Sequence, residues 1–253
     1  MAPRINAAGR LDSADPAVEL LLCEDIDEAE SLANEIDRLN KERQGIVQRM
    51  TKEAIDIVEK QFPPEKHHVL VVAKEGWNAG VIGIVASRLV EQFYRPTIVL
   101  SIDSEKGLAK GSARSIEGFD MFHELSKSRD ILPHFGGHPM AAGLTMKAAD
   151  LDMLRVRLHE QAAVCLKPED FTPIMNIDVV AGVEEISLDV IEQMQRLAPF
   201  GVANPTPKVM IEDAQIGQMR RIGSDGNHLK LSFAENGVSL MELVFTLAIS
   251  MRR

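Results

Sequence analysis

Residues able to grip a phosphate concentrate in a few short stretches of this 253-residue sequence. The first is Lys110-Gly111-Ser112-Ala113-Arg114-Ser115. Its small residues let backbone N–H groups approach an anion, and Ser112 and Ser115 add hydroxyl donors. An arginine such as Arg114 can clamp a phosphate through two parallel hydrogen bonds. The spacing is not that of a P-loop, which needs the Lys after the final Gly and before Ser/Thr. A tight strand with an exposed arginine fits the same residues. The second stretch is Phe135-Gly136-Gly137-His138-Pro139-Met140-Ala141-Ala142-Gly143. Adjacent glycines keep side chains away from a ligand and free the backbone. His138 could then donate to a phosphate oxygen or orient one during transfer. A packed histidine is an equal reading. Metal ligation is disfavoured, because only His134 lies close by and no carboxylate or cysteine joins it at ligand spacing.

Other candidates carry less chemistry. Gly76 to Gly83 (GWNAGVIG) sits between a strand and a helix but lacks the G-x-G-x-x-G of a dinucleotide site. Close helix–strand packing accounts for Gly80 and Gly83. Trp77 and Asn78 fall at the C-terminal end of that strand, where ligands bind in open α/β sheets. Arg10 follows Gly9 beside a helix start and reads as an anion contact or a surface arginine. Arg220, Arg221, His228 and Lys230 flank Gly223–Asn227 (GSDGN), a hairpin signal. A basic hairpin suits a groove that tracks a nucleic-acid backbone, and a solvated face accounts for the same charges.

The elements that must position these residues are legible as periodicity. PRINAAGRL (3–11) reads as loop. Asp15-Pro16 opens a helix to about Cys23, with Asp at the N-cap. A second helix spans about 27–61, roughly 50 Å at 1.5 Å per residue, and reads as a connector between domains. Strand 68–73, helix 80–94 and strand 96–102 make a βαβ unit with parallel strands. A strand at 107–116, a helix at 120–132, a glycine-rich turn at 134–138, a strand at 141–146 and a helix at 150–165 complete an α/β domain. Beyond Pro168 and Pro173 come a strand at 174–180, a helix at 189–197 and strand-like runs at 209–219, 228–233 and 238–247. Successive short antiparallel strands suggest a small barrel of the oligonucleotide-binding kind, cut short after about three strands.

Bulk properties bound the function. The net charge of −10 argues against a surface coated with phosphate-binding groups, yet leaves room for a local basic groove. Acid is uneven. Residues 1–62 hold 14 Asp/Glu against 8 Lys/Arg, whereas 195–232 hold 3 against 5. Aromatics are only 4%, so nucleic-acid contact should lean on phosphates more than on stacking. No secretory signal or membrane-length apolar run is visible, and Cys23 and Cys165 read as reduced, packed thiols of a cytoplasmic protein.

Taken together, PRINAAGRL (3–11), GWNAGVIGIVASRL (76–89), KGSARSIEGFD (110–120), FGGHPMAAGLTM (135–146), PFGVANPTP (199–207) and GSDGNHLKLSF (223–233) resemble the RecJ family of DHH/DHHA1 phosphoesterases. The resemblance covers nearly the whole chain. It implies an α/β fold: a DHHA1-like domain preceded by a long connector helix and followed by an incomplete OB-fold-like β-barrel. The implied domains are the tail of a DHH domain (1–26), the connector (27–65), DHHA1 (66–167) and a truncated OB-like domain (168–253). The implied activity is metal-dependent 5′-to-3′ degradation of single-stranded DNA in repair and recombination. Mn²⁺ or Mg²⁺ would be held by an upstream DHH domain through residues absent from this chain. By the same resemblance, Ser112 and Arg114 would hold a 5′ phosphate and His138 would contact the scissile region. Lys110, Gly136, Gly137, Arg10, Arg220, Arg221 and Lys230 would add substrate contacts. The Asp-His-His motif is missing, so the chain is expected to be a fragment, inactive alone. Two alternatives stay open: a non-catalytic single-strand-binding module, and a fragment of a DHHA1-type short-oligonucleotide phosphodiesterase.

Overall fold

A computed structural model describes residues 2–223, 228–235 and 238–244, the side chains of the last nine excepted. The chain divides into two compact units, Met1–Pro173 and Ile174–Arg253.

The first unit opens with helices α1 (Ala2–Leu11), α2 (Asp15–Leu22) and α3 (Ile26–Gln61). PRINAAGRL is therefore a helix, not the expected loop. Pro3 sits in its first turn, where a missing N–H is harmless. Ala7 and Ala8 are fully buried, and Ala8 packs in a cluster with Ala17, Ile36 and Leu39. Tertiary burial overrides the breaker residues. The N-cap of α2 is Ala14, with Asp15 already helical. In α3 the Asp25 carboxylate caps the helix, accepting from the N–H groups of Asp27 and Glu28 at 2.9 Å each.

Strand β1 (Leu70–Glu75), helix α4 (Ile82–Phe93) and strand β2 (Thr97–Asp103) form the expected βαβ unit, with β1 and β2 parallel. Strand β3 (Leu108–Arg114), helix α5 (Met121–Ser126), strands β4 (His134–His138) and β5 (Ala141–Lys147), and helix α6 (Leu151–Cys165) follow. The sheet runs β1-β2-β3-β5-β4, antiparallel beyond β2. The expected glycine-rich turn at 134–138 is thus an edge strand. Its glycines are poor strand formers, but all five residues pair with β5, and Phe135 packs against the core. Helix α5 ends six residues earlier than expected, after which Leu132 still turns back onto Ser128.

Alternation along the strands gives the sheet two faces. One buries Leu100, Ala113, Leu144 and Met146 with Leu154 and Leu158 of α6. On the other, Leu70, Val72 and Val99 pack with Val85 and Leu89 of α4 and with Met50, Ala54 and Val58 of α3. This cover does not extend to the β5–β4 edge, where Gly136, His138 and Gly143 are exposed. Both cysteines are free. Cys165 is exposed rather than packed.

In the second unit, β6 (Val179–Val180) pairs in parallel with β7 (Val209–Met210), and α7 spans Leu188–Gln195 with Ser187 at its N-cap. Strands β8 (Ile216–Ile222), β9 (His228–Glu235) and β10 (Val238–Val244) form an antiparallel sheet. The expected strand at 209–219 is two strands, and Asp213 between them has φ +53. The expected strand at 174–180 shrinks to Val179–Val180. Among the described residues the three-stranded sheet stays open, as an incomplete OB-fold-like barrel would. The hairpin tip at 224–227 and the run beyond 244 lie outside the described residues.

Candidate nucleic-acid interface

Strand register assembles the first unit's candidates. Ser112 pairs with Gly143 and Gly143 with Gly136; Arg114 pairs with Ala141 and Ala141 with His138. These are alternate rungs of one ladder, separated by the Ala113–Ala142–Gly137 rung. Directly opposed residues share a face, so Ser112, Arg114 and His138 project to the same side, with β5 between β3 and β4. At about 4.8 Å per strand the two outer strands stand about 10 Å apart. That side is the one left open beyond α4.

Close packing fixes the arginine. A Cβ on Gly83, in the first turn of α4, would lie 2.9 Å from Ser112 Oγ and 3.1 Å from Arg114 Nη2. The N-terminal end of α4 therefore sits against this pair, and no side chain caps it. Helix N-termini present unbonded N–H groups and partial positive charge. Arg114 Nη1 donates to Ser112 Oγ at 3.1 Å and to the Ala113 carbonyl at 2.7 Å, which holds the half-buried guanidinium in place. The expected helix–strand packing role of Gly83 is real, and it doubles as the wall of this niche.

Gly80 does not serve the expected helix–strand packing; it meets the backbone of α1 and brings Arg10 to the same place. A Cβ on Gly80 would stand 1.9 Å from the Arg10 carbonyl oxygen, so α1 and the loop before α4 touch through backbone. Arg10 Nη1 donates to the Gly80 carbonyl at 3.2 Å, and Asn78 Oδ1 accepts from Gly80 N–H at 2.8 Å. Burial pushes the Arg114 guanidinium below its ordinary pKa, and the Arg10 charge pushes in the same direction. Among the described residues neither arginine is in an ion pair. Two unpaired cations, a hydroxyl and a helix N-terminus form a niche for an anion.

The glycines serve different ends. A Cβ on Gly137 would lie 2.2 Å from the Ala141 carbonyl oxygen, so only glycine lets β4 approach β5 there. Cβ atoms on Gly136 and Gly143 would meet nothing, leaving open floor beside the niche. An open cavity of about 450 Å³ lies over this floor, with Lys110, Thr145, His134 and Arg129 on its rim.

Three sequence candidates are structural. Trp77 is buried, and its Nε1 donates to Glu53 Oε2 at 2.9 Å. Asn78 caps the loop to Gly80. Ser115 is buried and bonds the Phe119 carbonyl. Phe135, which opens the glycine-rich stretch singled out in the sequence, borders the cavity; so does Arg129, which carried no sequence signal beyond its charge. In the second unit, Arg220 and Lys230 are directly paired across β8 and β9, whereas Arg221 pairs with Leu229. Like charges opposed across a ladder repel, and an anion between them relieves this. No group of three or more His, Cys, Asp or Glu able to hold a metal occurs among the described residues.

Two family models match the sequence: the DHHA1 domain over residues 66–163 and the RecJ OB domain over 177–252. The chain belongs to the RecJ family. The single-stranded-DNA-specific exonuclease RecJ of Bacillus subtilis is 56% identical over 240 residues, covering 95% of this chain and 30% of the relative. Its counterpart in Escherichia coli is 35% identical, covering 91% and 40%. Crystal structures of RecJ from Thermus thermophilus in complex with Mn²⁺ and with Mg²⁺ superpose with TM-scores of 0.79 and 0.77 at 31% and 30% identity. They cover 95% and 98% of this chain, and 34% and 37% of those proteins. The chain thus spans about a third of these RecJ relatives.

Proposed function

We propose that this chain is the substrate-gripping portion of a metal-dependent, single-stranded-DNA 5′-to-3′ exonuclease of DNA repair and recombination. The reading treats residues 1–26 as the tail of a DHH domain, 27–65 as connector, 66–167 as DHHA1 and 168–253 as an OB-like domain. Ser112 and Arg114, with Arg10 and the N-terminal turn of α4, hold the 5′ phosphate of the strand. His138 reaches the phosphate being cut from the opposite side of β5. Gly136 keeps that path clear, and Gly137 lets β4 close on β5 beside it. Arg220, Arg221 and Lys230 track the backbone of the strand in the second unit. Mn²⁺ or Mg²⁺, which activates water and steadies the leaving oxygen in such hydrolyses, belongs in this reading to an upstream DHH domain. The described residues of this chain do not fit a metal centre, so their part is to bind and orient. The reading includes a cytoplasmic location, in keeping with a DNA-processing role. No described helix is long and apolar enough to cross a membrane.

One observation carries the reading. Arg114 is half-buried and unpaired, with a hydroxyl, a second arginine and a helix N-terminus around it. The test is Arg114→Ala in the protein that includes the DHH domain. It is expected to weaken binding of 5′-phosphorylated strands by about 1.5–3 kcal/mol, the scale of a hydrogen bond to a charged group. Strands ending in a 5′ hydroxyl are expected to lose little. Equal losses for both ends contradict the assignment.

A further inference from the structure

The ladder that builds the phosphate niche continues for another rung. Lys110 pairs with Thr145, and Thr145 with His134. This rung lies two residues from the Ser112 rung on each strand, about 7 Å away and on the same face. It borders the cavity of about 450 Å³ whose floor is Gly136 and Gly143. Arg129 closes the far rim with its guanidinium 4.9 Å from the centre of the Phe135 ring, a contact that orients the plane. The lining contains no carboxylate, in a protein whose acids outnumber its bases by ten. Among the described residues neither Lys110 nor Arg129 is in an ion pair.

We infer that this cavity is a second phosphate subsite, in which Lys110, Arg129, His134 and Thr145 hold an internucleotide phosphate of the same single strand. The inference rests on the reading of Ser112 and Arg114 as the 5′-phosphate niche. The distance between rungs suits successive phosphates of an extended strand. It is too long for neighbouring phosphoryl groups of a polyphosphate. The empty glycine floor leaves width for the sugar between the two phosphates. Lys110 supplies a point charge, Arg129 a planar fork of donors, and Thr145 a hydroxyl.

Binding of 5′-phosphorylated thymidine mono-, di- and trinucleotides to the 253-residue chain tests this. The double variant Lys110→Gln, Arg129→Gln changes two exposed side chains, and Lys110→Arg, Arg129→Lys keeps their charge. The Gln pair is expected to lower affinity for the trinucleotide about tenfold and to leave the mononucleotide unchanged. The charge-keeping pair is expected to stay close to wild type. If the short probes bind too weakly, a thymidine 20-mer replaces them. There the slope of log affinity against log salt should flatten by about 0.7 for each phosphate that is no longer neutralised. Wild-type trinucleotide affinity and an unchanged salt slope in the Gln pair overturn the inference. So does an equal loss for thymidine triphosphate, which would make the cavity a polyphosphate site. Failure of the underlying reading looks different: Arg114→Ala would leave mononucleotide binding untouched, whatever the Lys110 pair does.

Discussion

Among single residues, Gly83 separates folding from binding. Its missing side chain leaves the space in which Ser112 Oγ and Arg114 Nη2 face the first turn of α4. Both neighbours are ends of side chains that can yield, so Gly83→Ala should fold. Alanine is also the better helix former, by about 1 kcal/mol in a helix interior. In the proposed niche the added methyl would take the anion's place. The expected result is an unchanged or slightly raised melting temperature with binding of 5′-phosphorylated ends weakened by about 1 kcal/mol or more. Calorimetry and a binding titration on the same sample check both halves. Unimpaired binding would remove Gly83 from the site. The sequence picked out Ser112, Arg114 and His138 alongside Ser115, Trp77 and Asn78 and gave no means of telling which of them share an open face. Only the pleat decides that Ser115 turns inward to Phe119. Likewise, only the tertiary contact between α3 and the loop after β1 gives the Trp77 indole a partner in Glu53.

At the scale of elements, the Glu53 carboxylate ties α3 to the end of β1. It accepts from Lys74 Nζ at 2.8 Å and from Trp77 Nε1 at 2.9 Å. The Lys74 bond, then the Trp77 bond, holds its pKa below the ordinary carboxylate value. A carboxyl whose folded pKa is depressed adds stability that is present above its unfolded pKa. That stability is lost as pH falls through the folded value. Glu53 and Lys74 are nearly half exposed, at 44% and 47%, so the contribution stays below about 1 kcal/mol. A small melting-temperature advantage over Glu53→Gln is expected at neutral pH, closing as pH drops below about 4. A gap that stays constant with pH would show that the charge contributes nothing. The periodic elements were readable from sequence because burial follows the repeat: α3, α4, β1 and β2 came within a few residues. Helix α1 and strand β4 were not, for a shared reason. Glycine and proline argue locally for loop. What orders these segments is long-range, the burial of Ala7 and Ala8 and the ladder of β4 on β5. The segment between β7 and β8 contains a left-handed Asp213, a conformation aspartate tolerates but does not announce.

Over the whole molecule, the proposed function asks an acidic chain to hold a polyanion through a few unpaired cations set where carboxylates are absent. Single-strand binding by the chain alone should therefore fall steeply with salt while remaining measurable at low salt. Purified with Mn²⁺ and end-labelled single-stranded DNA, it is expected to release no nucleotides; processive release would place a metal centre within these 253 residues. The central claim is that the ladder rungs of β3, β5 and β4 cradle a phosphate beneath the first turn of α4. The most direct measurement is a backbone amide NMR titration of the chain with 5′-phosphorylated dithymidylate. The account predicts that the amides of Gly83, Ser112, Arg114, Gly136 and Gly137 shift together along one binding curve. If the probe binds while those amides stay in place, the phosphate is held elsewhere and the account is wrong.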